Sequence, residues 1–450
     1  MTNLEQEYAG LPVDRLAAHP RMQRAFAIFG HTNVLEMARS FTVVGSLLLV
    51  WLTFAPFPDL QNPALKSLAT GQLALTYITF AGLAVLAILL SAAENGPALR
   101  SLCTPTNIGF ACWMVFNIAL SQQPAVSLQR VILTLSVTSL AVMIPLMPST
   151  RSQLDLCLAT AAGILLTLCY LGLVLVPNLS IHSALDTVEP QLAGDWRGAF
   201  GHKNLAAPTM VILFYLGLYL LRSRIYIVGA LISFFAGMFL FFSGGKSASA
   251  LCLFILLLVQ IVSHSRNRFL HYAICLLPVI AINLLGVGSV VSESLASITR
   301  LLPFDVTFTG RTGIWEFAIA GFSENPIKGY GYAAFWDNPL NRTTVEAGSE
   351  WAFDASHSHN GYLELALTIG LPGLLLALLI FVISPMRNFH TLQAEHRDLN
   401  LAKFFLSIWL FGVYLSSMET FLLDRQNPTW FLFVMAVAGL HFLSRFRVKT

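Results

Sequence analysis

His357 and His359 stand two residues apart in Phe353-Asp354-Ala355-Ser356-His357-Ser358-His359-Asn360-Gly361-Tyr362-Leu363, where a long polar interval runs into an apolar segment. An imidazole titrating near neutral pH is suited to take a proton from a hydroxyl, so a histidine beside a polar loop is a candidate general base. Asp354 is placed to orient it. Residues two apart in an extended segment point the same way, which would also suit a metal pair, but no third ligand with sensible spacing is evident. Asn360 is expected to cap the helix that follows. A purely structural role at the start of that helix fits the same residues.

Three further clusters carry charge or aromatic groups. In Gly194-Asp195-Trp196-Arg197-Gly198-Ala199-Phe200-Gly201-His202-Lys203-Asn204 the glycines permit close backbone approach, and the next helix start offers unpaired N–H groups. With Arg197, His202 and Lys203, that suits an anion such as a diphosphate. An interfacial anchor, with Trp196 and Lys203 at headgroup level, fits equally. Phe242-Ser243-Gly244-Gly245-Lys246-Ser247 lacks the G-x-x-x-x-G-K-[ST] spacing of a nucleotide phosphate loop. Lys246 either helps hold an anionic substrate or snorkels to the membrane boundary. Thr309-Gly310-Arg311-Thr312-Gly313-Ile314-Trp315-Glu316 opens a short amphipathic helix over about 312–322, expected to lie on the membrane surface. The helix dipole disfavours a cation there, which points Arg311 toward a ligand's negative charge. Tyr330, Tyr332, Phe335 and Trp336 follow, placed to stack on sugar rings or to anchor the loop.

The elements that must position these residues are membrane helices. The chain of 450 residues is 56% hydrophobic and 11% charged, with mean hydropathy +0.69, against roughly 25% charged residues in soluble domains. Apolar runs long enough to cross a hydrocarbon core of roughly 30 Å recur along it, and an all-α polytopic membrane protein with about twelve spans is predicted. A cytoplasmic tail is expected over 1–40, spans one to five over 41–177, an outer loop over 178–204 and spans six to nine over 205–290. A long outer loop over 291–360 carrying short surface helices, spans ten to twelve over 361–444 and a short tail over 445–450 complete the chain. Sixteen of the 26 Lys and Arg fall on the parity that holds both termini. Six of the other ten lie in the two long loops, which places the termini in the cytoplasm and those loops outside.

No Asp, Glu, Lys or Arg sits near the middle of a predicted span, where ion-coupled carriers usually need one. A transporter is therefore the weaker reading. The six cysteines avoid both long loops, so neither disulfides nor a Cys-rich metal site is expected. No cofactor and no nucleic-acid partner are expected.

The ordered motifs Trp196-Arg197-Gly198 with His202-Lys203-Asn204, Gly310-Arg311-Thr312 with Trp315, Gly329-Tyr330-Gly331-Tyr332 with Phe335-Trp336, and His359-Asn360-Gly361-Tyr362-Leu363 resemble the bacterial O-antigen ligase and Wzy-type polymerase superfamily. The Trp-Arg-Gly and Gly-Tyr-Gly-Tyr segments look most like its exopolysaccharide-polymerase, ExoQ-type, branch. The resemblance implies a GT-C-like membrane fold in the bacterial inner membrane. It implies transfer of a glycan from undecaprenyl diphosphate to an acceptor glycan or glycolipid hydroxyl on the periplasmic side, with neither nucleotide sugar nor metal. It also implies that Arg197 and Arg311 hold the diphosphate and that His359 is the essential histidine. His202, Lys203, Asn204, Lys246, Trp315, Tyr330, Tyr332, His357 and Asn360 are the expected substrate-binding residues around them. The branch often carries an arginine where this chain has Lys246, which keeps the charge but loses the bidentate fork. Polymerisation of an exopolysaccharide or O-antigen is the first expectation, and ligation of O-antigen to lipid A core the alternative.

Overall fold

The computed structural model describes residues 20–61, 74–186, 189–301, 308, 310–344, 355–395 and 399–446. Asp354 lies outside them, as do Arg15, Lys66, Arg397, Arg447 and Lys449 among the charges used for orientation. The long helices are α1 (Pro20–Leu52), α2 (Ala74–Arg100), α3 (Pro105–Ala119), α4 (Pro124–Met143), α5 (Arg151–Leu175), α6 (Lys203–Arg222), α7 (Tyr226–Phe242), α8 (Lys246–His264) and α9 (Arg268–Leu285). Within the long loop come α10 (Glu293–Arg300) and α11 (Arg311–Glu324), and the chain closes with α12 (Gly361–Ala394), α13 (Leu399–Leu415) and α14 (Pro428–Arg445).

Each expected span overlaps one of these helices, but length and composition license fewer crossings than twelve. Among the described residues nine helices are long and apolar enough to cross a membrane, or ten if the pair Glu94–Arg100 and Pro105–Ala119, bent by 74°, forms one broken span. α7 and α13 are apolar but only 17 residues long, about 26 Å of helix against a core of roughly 30 Å. The first helix also begins inside the expected tail. Arg39 is buried there, donating to the Leu90 carbonyl and to Ser149 and pairing with Glu94 at 2.9 Å.

Packing sorts the helices into a centre and a shell. α14 and α6 bury 89% and 72% of their apolar windows, whereas α9 buries 11%. α13 is buried along nearly its whole length, and Trp409, Tyr414, Trp430 and Tyr219 fill the space among these central helices. α6 and α7 cross closely because Gly217 and Gly229 face one another. A Cβ at either would lie 2.8 Å from the other's carbonyl oxygen.

α12 is broken, and the break positions the long loop. Gly370 has φ 68°, outside the helical region, and Pro372 follows it. The carbonyls of Leu367 and Thr368 receive the N–H groups of Tyr330 and Gly331 at 3.1 and 3.0 Å, while Leu371 N–H donates to the Pro326 carbonyl at 2.9 Å. The Gly329–Gly331 loop thus supplies the partners the break leaves open. A Cβ on Gly370 would fall 1.9 Å from the Ile327 carbonyl oxygen. α11 packs its Ile314, Trp315, Phe317 and Ala318 face into a second apolar cluster with Leu363 and Leu367 of α12. The expected surface helix is therefore held against protein.

Candidate active site

Asn360 fixes where the helix after the two histidines begins. Its side chain accepts from the N–H groups of Tyr362 and Leu363 at 3.1 and 3.0 Å, a capping arrangement. Its amide donates to Asn283 Oδ1 on α9 at 2.8 Å and to the Ser417 carbonyl at 3.1 Å, so three elements meet at one buried residue. Ser358 N–H donates to Glu364 in the first turn of α12 at 2.9 Å. Trp315 donates its indole N–H to the Ser358 carbonyl at 3.0 Å. Between these ties His359 adopts φ 50°, a left-handed conformation costly for a residue with a Cβ, and such strain persists only where surroundings over-determine it.

The histidine ring turns toward Glu419, in the connection 416–427 between α13 and α14. His359 Nδ1 lies 3.3 Å from Glu419 Oε2, and Arg311 Nη2 lies 2.7 Å from Oε1. Arg311 also donates through Nη1 to the Met418 carbonyl. A carboxylate on Nδ1 keeps the proton there, and no partner among the described residues engages Nε2, which is left as the basic nitrogen. Burial pushes the Glu419 carboxyl up, but the adjacent Arg311 and His359 outweigh it and hold the group at about 2. His357 stacks edge-on against His359 at 4.2 Å, and its Nδ1 accepts the His359 N–H at 3.3 Å. Burial, with the His359 and Arg311 charges adding to it, lowers His357 to about 3, so it is neutral near pH 7.

His357, His359 and Glu419 line a cavity of about 410 Å³. Across it stands the 189–204 loop. His202 caps α6 by accepting the Asn204 N–H at its Nδ1, and its Nε2 donates to Glu189 at 2.6 Å. That bond, more than the opposing burial, holds the Glu189 carboxyl below its ordinary value. His182 backs the loop, bonded to Asp186 at 3.0 Å. Burial lowers its pKa despite Asp186. Asn204, Thr420 and Asp424 complete the polar wall, and burial pushes the Asp424 carboxyl up against the pull of Arg425.

The cavity thus brings together His202, Asn204, His357 and His359, with Arg311 attached through Glu419. Arg197 is not in its wall. Its guanidinium is fully buried, donating to the carbonyls of Phe200 at 3.2 Å and Pro58 at 2.9 Å, while Nε has no partner among the described residues. Lys203 pairs with Asp195 at 2.6 Å, and Lys246 is exposed on the turn that packs Gly244 against the same Asp195. Trp315, Tyr330 and Tyr332 are buried. Tyr330 donates to Glu324 at 2.8 Å, and the Tyr332 hydroxyl meets Thr134 at 2.7 Å, contacts that anchor the loop. Sequence reasoning missed Glu419. The signal available was parity: 416–427 must face the same side as the long loop.

Comparison with known proteins shows a likeness in the segment that carries most of these residues. Residues 208–378 match the family model described as O-Antigen ligase. This segment is similar to the O-antigen ligase family. The chain is also 32% identical over 114 residues to the exopolysaccharide production protein ExoQ of Rhizobium meliloti (strain 1021), a match spanning 24% of each chain. The matched segment holds Arg311, His357, His359 and the loop seated in the α12 break. Arg197, the His202–Glu189 pair and Glu419 lie outside it, and the fold brings the last three to the same cavity.

Proposed function

We propose that the protein is a membrane glycosyltransferase that moves a glycan from undecaprenyl diphosphate to a sugar hydroxyl at the periplasmic face. The observation that carries this reading is the Arg311–Glu419–His359 relay on a polar cavity of about 410 Å³. A sugar hydroxyl is a poor nucleophile and needs its proton removed, whereas a diphosphate is already a good leaving group and needs its growing charge stabilised. His359 Nε2 takes the hydroxyl proton as the acceptor oxygen bonds to the anomeric carbon. The bond from that carbon to the diphosphate oxygen breaks in line, with inversion, and Arg311, held behind Glu419, adds positive charge that offsets the departing charge. Glu419 fixes the histidine tautomer and supports the imidazolium that forms. Arg197, buried within the 189–204 loop with no carboxylate among the described residues at hydrogen-bonding distance, supplies positive charge from below. The lipid carrier reaches the site sideways from the bilayer, through a GT-C-like helical framework of up to twelve spans with both termini cytoplasmic. No step calls on a metal ion.

Exopolysaccharide or O-antigen polymerisation is the favoured reaction, in keeping with the ExoQ match. Transfer to lipid A core is the second, favoured by the description of the matched family. The test is reconstitution with a defined lipid-diphosphate-linked oligosaccharide and two acceptors, a second lipid-linked repeat and a core glycolipid. The wild type forms a glycosidic bond with one of them, and His359→Ala lowers the rate by about 10²- to 10⁴-fold with an unchanged unfolding temperature. Full transfer by His359→Ala sinks the base assignment. Movement of substrate across liposomes without bond formation sinks the enzyme.

A further inference from the structure

The end of α6 opposite the cavity carries a second site, independent of the glycan-transfer reading. α6 begins at the cavity with Lys203 and ends at Arg222, 20 residues and about 30 Å away. There Arg151, Arg222 and Arg224 line a cavity of about 670 Å³ at the exposed ends of α5 and α7. Arg151 is aimed by the Tyr219 hydroxyl and Ser223 Oγ, each at 3.3 Å, with its guanidinium 5.6 Å over the Tyr219 ring. Asp155 is the carboxylate among the lining residues, and its Oδ1 accepts the Tyr219 hydroxyl at 2.6 Å. Arg151 also pairs with Asp155 at 4.0 Å, and among the described lining residues three guanidinium groups meet one carboxylate, which makes the mouth cationic. Arg222 and Arg224 are both exposed.

The mouth opens onto apolar surface. Ala159 of α5 and Val228 of α7 border it and also border an apolar groove of about 500 Å³ between the two helices. Ala159 and Gly163, one turn apart on α5, leave the space, and Leu231 and Phe235 of α7 form the other wall. The Tyr170 hydroxyl on the Phe235 carbonyl at 2.8 Å ties the helices along the groove. From Ala159 to Val174 it follows about 22 Å of helix, more than the roughly 15 Å half-thickness of a hydrocarbon core. A cationic head joined to a chain-length apolar slot matches one class of molecule. A soluble anion would use the head and leave the slot unfilled, and a neutral lipid would do the reverse.

We propose that this is a binding site for an anionic glycerophospholipid, its phosphate among Arg151, Arg222 and Arg224 and one acyl chain in the groove between α5 and α7. The test is native mass spectrometry of the delipidated full-length chain with phosphatidylglycerol, phosphatidylcholine and chain-free glycerophosphate. Phosphatidylglycerol is expected to bind preferentially. The double variant Arg222→Ala/Arg224→Ala should weaken it about 25-fold, about fivefold per arginine, and leave phosphatidylcholine unchanged, with Arg222→Lys/Arg224→Lys restoring most of the loss. Val228→Trp, which fills the groove at a partly exposed position, should weaken both lipids. The unfolding temperature of each lipid-free variant, expected to match the wild type, separates lost binding from lost fold. Equal binding of the two lipids by the wild type, undiminished binding by the double alanine variant or by Val228→Trp, or displacement by glycerophosphate alone overturns the site.

Discussion

Glu419 sets the charge balance at the cavity, because it is the carboxylate shared by Arg311 and His359. Its folded-state carboxyl sits at about 2, below the ordinary 4.5. The stability it contributes is therefore fully present above about pH 4.5 and is lost as the pH falls toward 2. Glu419→Gln is expected to cost about 2 kcal/mol at neutral pH and to flatten the unfolding temperature across that acid window. It should also slow glycan transfer, since the His359 tautomer loses its anchor, and parallel melting curves and rates check both. Arg197 gives the opposite expectation. Removing its guanidinium strands the carbonyls of Phe200 and Pro58, so Arg197→Ala should lose about 3 kcal/mol and Arg197→Lys nearly as much, whereas His359→Ala keeps its fold. An Arg197→Ala protein with wild-type melting and no transfer would make this arginine a direct diphosphate ligand instead. His359 and Arg311 were legible in the sequence because each breaks a local rule, a histidine at a helix start and a cation at the positive end of a dipole. Glu419 was not, since it and Asp424 form no motif in the short connection between two apolar runs. Nor was the burial of Arg197, because residue type does not reveal what a loop folds over.

The elements were legible where periodicity and length speak, and less so where the backbone departs from its own pattern. Each expected span overlaps a helix, yet α7 and α13 are too short to pass as crossings by length, and α2 and α3 meet at a 74° bend. The break in α12 was hidden, because Thr368-Ile369-Gly370-Leu371-Pro372 reads as ordinary apolar helix. Gly329-Tyr330-Gly331-Tyr332 left sugar stacking and anchoring open, and the structure puts both tyrosines in anchoring contacts. Gly370→Ala places a side chain at φ 68° and against the Ile327 carbonyl, which should cost about 3 kcal/mol or more. Loss of a cooperative melting transition in detergent checks it. A Gly370→Ala protein with wild-type stability would mean that the break is dispensable.

At the scale of the whole molecule, α6 runs between two polar ends of different chemistry, a histidine and carboxylate cavity at one and an arginine mouth at the other. We propose, from the distribution of Lys and Arg, that the cavity lies outside the cytoplasm. In a Cys103→Ser/Cys112→Ser background, which removes the two exposed thiols, Ser356→Cys should react with an impermeant maleimide in right-side-out vesicles. Arg266→Cys should react only after permeabilisation, and the reverse pattern would invert the topology. The seating of the 326–331 backbone in α12 bears on how such proteins could exchange acceptor specificity. A chimaera that swapped the loop wholesale would strip a buried helix of its hydrogen-bond partners at mid-length. Viable grafts should leave residues 326–332 in place and trade only the flanks, so recombination among relatives has a built-in boundary inside the loop rather than at its ends.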